Sequence, residues 1–210
     1  MEKEEVVMLM EALDRSYNML RDVKNQLKSP TDSKEQLPEK SIKPCIYRVP
    51  PRIRKGAEEE EFEPKLVSLG PYHFGKPHLA AFEDHKGKSL LHCLRRAKKD
   101  LKEIEEAVRN IVTDLYYCYD NLSDGWNINN SLENFVGLMV VDGCFLLEFI
   151  CGIFSKQKLD NPVIHFLEES YKTFDVHMDS VLLENQLPFS LLQPLHEILH
   201  PGHTFEVTHA

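Results

Sequence analysis

Two short patterns in this 210-residue chain have residue types and spacing that could do chemistry. His196-Glu-Ile-Leu-His200 matches H-E-x-x-H. On a helix its two imidazoles, four residues apart, would face one zinc ion while Glu197 acts as general base. Pro201 disfavours helical backbone at His200. The longer metalloprotease form needs glycine at position 203 and histidine at 206, where the chain has His203 and Glu206, so Glu206 is the third candidate ligand. The second pattern, Gly70-Pro-Tyr-His-Phe-Gly75-Lys76, fits the phosphate-loop spacing G-x-x-x-x-G-K. Its next residue should be Ser or Thr to hold magnesium and is Pro77, and Tyr72, His73 and Phe74 crowd a loop whose backbone would have to wrap a phosphate. Neither pattern implies a bound group strongly enough to assign one, so no cofactor is expected.

Other chemistry-bearing residues are scattered. His78, His85 and His92 recur every seven residues, but neighbours would lie about 10 Å apart along a helix, too far to share a metal. Five cysteines, Cys45, Cys93, Cys118, Cys144 and Cys151, are odd in number, widely spaced and without a C-x-x-C pair. Reduced, mostly buried thiols in a cytoplasmic protein are expected, not a disulfide framework. The acidic start Met-Glu-Lys-Glu-Glu is not a targeting peptide. With 25 basic and 34 acidic residues the net charge is −9, which excludes general nucleic-acid binding. The one basic cluster, Arg95, Arg96, Lys98, Lys99 and Lys102, has no interleaved aromatics and reads as a solvated face.

The elements that must position these residues are mostly helical. Residues 2–28 lack Gly and Pro and repeat Val6, Met10, Leu13, Tyr17, Leu20 and Leu27 as a heptad seam, predicting an amphipathic helix over 1–29. A polar, proline-punctuated linker follows over 30–44. Cys45–Val49 and Lys65–Leu69 read as two strands of a small β-hairpin. From Leu79 to Tyr117 the apolar steps of four and three predict one long helix, and a second, very apolar helix runs from an N-cap at Ser131 to Phe154. Asp142 and Glu148 interrupt that run, so it reads as a core helix and no membrane span is expected. A short helix is expected at Val163–Tyr171, and Asp179 is expected to cap a helical turn over Ser180–Gln186. The fold class is therefore mainly α, a helical bundle with a small β-hairpin near the N-terminal third. The body spans 45–199 and a tail 200–210.

Several ordered blocks stand out together: Ile46-Tyr-Arg-Val-Pro50; Phe62-Glu-Pro64 with Val67-Ser-Leu-Gly-Pro-Tyr-His73 and Gly75-Lys76; His85-Lys86; Phe135-Val-Gly-Leu-Met139 with Val141-Asp-Gly-Cys-Phe145; and Asp179 through Phe189. In combination they resemble the plant family called domain of unknown function 247, or UPF0481. The resemblance implies a mainly helical plant domain without an established enzyme activity. Its typical members are about twice this length and end in a membrane-spanning helix, and some grass members are linked to self-incompatibility recognition. It therefore implies a non-catalytic interaction or signalling module, cytoplasmic or peripheral at a membrane. The implied partner is a protein: a full-length family member or a second copy.

Physically these blocks read as architecture. A carboxylate in an apolar helix needs a cation or N–H donor. For Asp142 and Glu148 the candidate cations are Arg48, Lys86 and Arg109, and Asp142 and Glu184 are each expected to have a basic or backbone N–H partner. Glu184, Asn185 and Gln186 are suited to tying a helix end to a neighbouring backbone. Gly70, Pro71, Tyr72, His73, Gly143 and Pro188 complete the set of motif residues.

Overall fold

The computed structural model describes residues 45–55, 59–126, 128–154 and 172–201, all within the compact unit Ile42–Phe205. The expected helix over 1–29, the linker 30–44, the helix Val163–Tyr171 and Glu206 lie outside the described residues.

Among the described residues there are six α-helices: α1 Pro51–Arg54, α2 Ala80–Ala97, α3 Leu101–Tyr117, α4 Ile128–Phe154, α5 Lys172–Ser180 and α6 Phe189–Leu199. The single long helix expected over Leu79–Tyr117 is instead two. Lys98 takes a left-handed backbone (φ 53°), and the Lys99 N–H closes back on the Leu94 carbonyl at 3.1 Å. Asp100 then caps α3 by accepting the Lys102 N–H at 3.1 Å. The apolar steps of four and three run through this break in the sequence, but the buried faces do not follow them throughout: Leu101 is exposed, and Leu90, Leu94 and Ile111 are half-buried. On α3 the buried face is Ile104, Val108, Val112 and Leu115. On α2 it is Phe82, Lys86, Ser89 and Cys93, rotated from the expected stripe so that a lysine points inward.

The helix α4 forms the centre, with α2, α3 and α6 packed on it. Ser131 interrupts its first turns with non-helical angles (φ −132°, ψ 22°), at the position where the N-cap was expected. Its stretch Ser131–Gly152 is long and apolar enough to cross a membrane by length and composition, but an 18-residue apolar part of it is 67 % buried inside the protein. Phe135, Met139, Cys144 and Phe145 are fully buried, and Phe145 meets Phe82 of α2 edge-on at 5.4 Å. Gly143 is required by this packing. A Cβ there would stand 2.5 Å from a Leu195 methyl of α6.

The expected β-hairpin is absent among the described residues. Cys45–Val49 makes one isolated parallel bridge, Ile46 to Tyr119, and Lys65–Leu69 bends at Lys65 and Leu66 and has no strand partner. What satisfies its backbone is described in the next section. Likewise Ser180–Gln186 is not helical beyond the end of α5, but a sequence of turns.

Candidate functional site

The segment Lys65–Gly70 is Val- and Leu-rich, is bounded by Pro64 and Pro71, forms no regular element and needs hydrogen-bond partners for its N–H groups. Side chains supply them. Asp179, in the last turn of α5, accepts the Lys65 N–H on Oδ1 at 2.8 Å, and those of Leu66 and Val67 on Oδ2 at 2.7 and 2.8 Å. Asn185 imitates a neighbouring strand: its Oδ1 accepts from Leu69 N at 2.6 Å, and its Nδ2 donates to Val67 O at 3.0 Å and Asp179 O at 2.9 Å. Asp142 of α4 accepts the Gly70 N–H on Oδ2 at 2.8 Å. Gln186 donates from Nε2 to the Ser180 and Leu182 carbonyls, both at 2.8 Å, closing its own turn. Pro188, buried, then fixes the chain direction at the start of α6.

Gly70 is the tightest point of this clamp. Its φ is +72°, and a Cβ would lie 2.8 Å from both the Gln186 carbonyl oxygen and the Tyr119 hydroxyl, which itself donates to Gln186 O at 3.0 Å. Tyr72 continues the arrangement, donating to Ile46 O at 3.1 Å and also meeting Asp120 O. Its phenol is pushed up to about 12 by burial, against the pull of Arg48. The Arg48 guanidinium sits 4.5 Å over the Tyr72 ring.

Two buried charge clusters support the clamp. In the first, Lys86, fully buried, donates from Nζ to Asp142 Oδ1 at 2.7 Å and Ser68 Oγ at 3.2 Å, with Glu83 Oε1 at 2.8 Å. Burial raises the Asp142 carboxyl to about 6, held from rising further by Lys86 and the Gly70 N–H. In the second, Glu184 Oε1 takes the Val49 N–H and Arg54 Nη2, the latter at 2.7 Å. His73 stands between Glu63 (Nδ1–Oε2 3.6 Å) and Glu184 (Nε2–Oε2 3.7 Å). Burial and then Lys76 lower the His73 imidazole to about 4, so it is neutral. Burial works to raise Glu63, but the contact with Lys76, with help from His73 and Arg54, holds it below the usual carboxylate range.

The expected partners of Asp142 and Glu184 are thus both found, with two corrections. Glu184 is met by Arg54 and Glu148 by Arg96, neither of them among the candidate cations, while Arg48 lies over the Tyr72 ring. Arg109 pairs with Glu133 on the surface of α3 and α4, not in the core. The phosphate-loop spacing does not make a phosphate cradle: the Gly70 N–H is spent on Asp142, and Lys76 is paired with Glu63. Sequence reasoning missed Asp179 as the main acceptor. Its signal was a polar residue held within the Asp179–Phe189 block.

A third cluster surrounds the H-E-x-x-H pattern. His196 and His200 stack, with ring centroids 4.7 Å apart and planes at 12°. Both His200 nitrogens lie 3.1 Å from the Arg96 guanidinium, and the Cys151 sulfur is 3.7 Å from Nε2. Arg96 also holds Glu148, whose other oxygen meets His92 Nδ1 at 2.9 Å. Glu197 faces outward and accepts from Gln193 at 3.1 Å. A guanidinium against the second histidine opposes a dication there, and among the described residues no group of three or more His, Cys, Asp or Glu side chains could hold a metal.

The clamp joins the same sequence blocks that the family resemblance rests on, and a family model covers them: residues 46–209 match DUF247, described as a plant protein of unknown function. The chain belongs to this family. It is similar to UPF0481 protein At3g47200 of Arabidopsis thaliana, 32 % identical over 153 residues, which is 72 % of this chain and 31 % of the relative. A second Arabidopsis thaliana protein, putative UPF0481 protein At3g02645, is 25 % identical over 150 residues, 70 % of this chain and 26 % of the relative. The chain thus spans about a third or less of the length of the curated relatives it matches. No solved structure matches it. Read as a DUF247 domain, the Asp179–Phe189 block is the part that ties Lys65–His73 to α4.

Proposed function

We propose that this DUF247 chain is a non-catalytic interaction module of plant cells, acting in the cytoplasm or peripherally at a membrane. Its partner is a protein: a longer family member or a second copy. The observation that carries this reading is an exposed apolar run beside the clamp. Phe174 and Met178 lie one turn apart on α5, and Val181 and Leu183 follow in the turns, with Leu183 71 % exposed. The same short stretch turns Asp179, Glu184 and Asn185 inward, so the clamp presents the apolar residues outward on a braced frame. The buried polar residues, by contrast, are engaged with one another as architecture, which favours recognition over catalysis.

The test is capture of partners by the tagged chain from soluble and membrane fractions of plant cells, beside a Phe174→Ser/Leu183→Ser variant. Both residues are solvent-facing, so the variant keeps its helical circular dichroism. The expected result is loss of the captured longer relative or second copy. Equal capture by both proteins, or a monodisperse wild-type monomer that binds no apolar-patch dye, overturns the reading.

A further inference from the structure

Four of the five cysteines come together as two thiol pairs, in very different surroundings. Cys93 of α2 donates from Sγ to the Cys144 carbonyl of α4 at 3.7 Å inside the core, and neither has any exposed surface. Cys45 and Cys118 are joined through the Cys45 N–H, which donates to the Cys118 carbonyl at 2.8 Å, but Cys45 is exposed and Cys118 half-buried. The fifth, Cys151, has His200 Nε2 3.7 Å from its sulfur.

The backbone sets the second pair in register. Ile46 and Tyr119 form a parallel bridge, with Cys45 N and Ile46 N donating to Cys118 O at 2.8 and 2.9 Å and Asp120 N donating to Ile46 O at 3.0 Å. Cys45 and Cys118 each precede a bridged residue. The Cys45 N–H to Cys118 carbonyl bond holds the two Cα atoms within about 6.5 Å, inside the spacing that a disulfide spans. Cys118 ends α3 with helical backbone (φ −67°, ψ −21°), and its half-buried thiol lies beside the exposed Cys45 thiol.

We propose that Cys45 and Cys118 are a reversible dithiol–disulfide site, closed by exchange with a small-molecule disulfide and reopened by excess thiol. The exposed Cys45 reacts first: its thiolate attacks one sulfur of the small disulfide, forming a mixed disulfide and expelling one thiolate. Cys118 then gives up its proton to water and attacks the Cys45 sulfur, expelling the second thiolate. Two protein thiols lose two protons and two electrons, and one small disulfide becomes two thiols. Burial and the Cys45 thiol beside it push Cys118 up to about 11, while a hydrogen bond from Ser190 pulls it down. The neighbouring-thiol contribution disappears once Cys45 is capped, so the first step eases the second.

The bond would fasten Cys45–Val49 to the turn after α3. That segment feeds the clamp directly, since Tyr72 donates to Ile46 O and the Val49 N–H goes to Glu184. Closing a ring of this length restricts the unfolded chain, giving a Tm rise on the order of 10 °C. The core pair stays reduced while the protein is folded, because no small disulfide reaches it.

The experiment equilibrates the full folded chain across ratios of oxidised to reduced glutathione, traps free thiols with iodoacetamide, and maps peptides without reduction. Expected are a Cys45–Cys118 linked peptide that disappears with excess reduced glutathione, and Cys93 and Cys144 alkylated only after denaturation. Slower amide exchange at Ile46, Val49 and Asp120 should accompany closure. Cys45→Ser, at an exposed position, removes the link and the Tm rise without loss of helical signal; Cys151→Ser leaves both unchanged. A stable glutathione adduct on Cys45 with Cys118 still alkylatable overturns the proposal. So does a link formed only after denaturation, or one made to Cys151.

Discussion

The helical core and the clamp solve the same problem by opposite means. Around α4, each helix satisfies its own backbone, and what remains is to bury apolar faces such as Ile104, Val108 and Leu115 against Phe135, Met139 and Phe145. In the clamp the backbone of Lys65–Gly70 has no regular partner, and five of its N–H groups are taken up by Asp179, Asn185 and Asp142. Apolar packing tolerates exchange among residues of similar volume. A side chain that carries several hydrogen bonds at fixed geometry does not, because its loss strands buried donors. The difference predicts where this domain is fragile: at polar positions, not at its largest apolar ones.

The sharpest way to break the comparison is at a place where the two regions meet, the buried pair Lys86–Asp142. Lys86→Met fits the α2 face by volume yet leaves the Asp142 carboxylate without its cation. A loss of about 3–5 kcal/mol of stability is expected in urea unfolding. Adding Asp142→Leu removes the stranded charge and leaves one unpaired N–H at Gly70, a cost of about 1–3 kcal/mol. The double variant should therefore be more stable than Lys86→Met alone. A double variant worse than the single one would mean that Asp142 is held by something other than Lys86.

A smaller, paired test compares two substitutions of similar volume. Asn185→Leu strands the Leu69 N–H and the Val67 and Asp179 carbonyls, for an expected loss of about 2–3 kcal/mol. Leu147→Met, equally buried on α4, should cost less than about 1.5 kcal/mol. Equal losses in urea unfolding would remove the distinction drawn between the regions.

The same contrast explains what could be read from the chain. The helices were legible because their signals are local and periodic. Ile104, Val108 and Leu115 are core on spacing alone, and Asp142 and Glu148 advertised buried partners by interrupting an apolar run. The break at Lys98–Asp100 was missed because the apolar stripe continues through it, and a left-handed lysine leaves no trace in hydrophobic spacing. The β-hairpin was misread for a different reason. Val67 and Leu69 carry strand propensity, but propensity does not say what accepts from the backbone, and the acceptors lie more than a hundred residues away at Asp179 and Asn185. Arg54 and Arg96 were not among the candidate cations because each lies in a run of surface-like charges, and the carboxylates they meet, Glu184 and Glu148, are far off in sequence.

The smallest expected effect is a near-cancellation, and it ties the two charge clusters together. Asp142 is raised in the folded state, from 3.8 to about 6. A carboxyl so raised binds its proton more tightly folded than unfolded, so its contribution is fully present below about pH 4 and is lost as pH rises through about 6. His73 is lowered, from 6.5 to about 4. Its contribution is present above about pH 6.5 and is lost as pH falls through about 4. The windows overlap and the signs oppose, each worth roughly 3 kcal/mol, so between pH 4 and 6 the two sites should leave a net change below about 1 kcal/mol. Glu63, held low, adds a loss on acidification that begins only below its ordinary value near 4.5. His73→Gln removes one of the opposing contributions without titrating. Urea unfolding of that variant should therefore gain stability as pH falls from 6.5 to 4.5, where the parent chain stays nearly level. Parallel pH profiles for the two proteins would show that His73 is not held neutral between Glu63 and Glu184, and that the clamp's charge balance lies elsewhere.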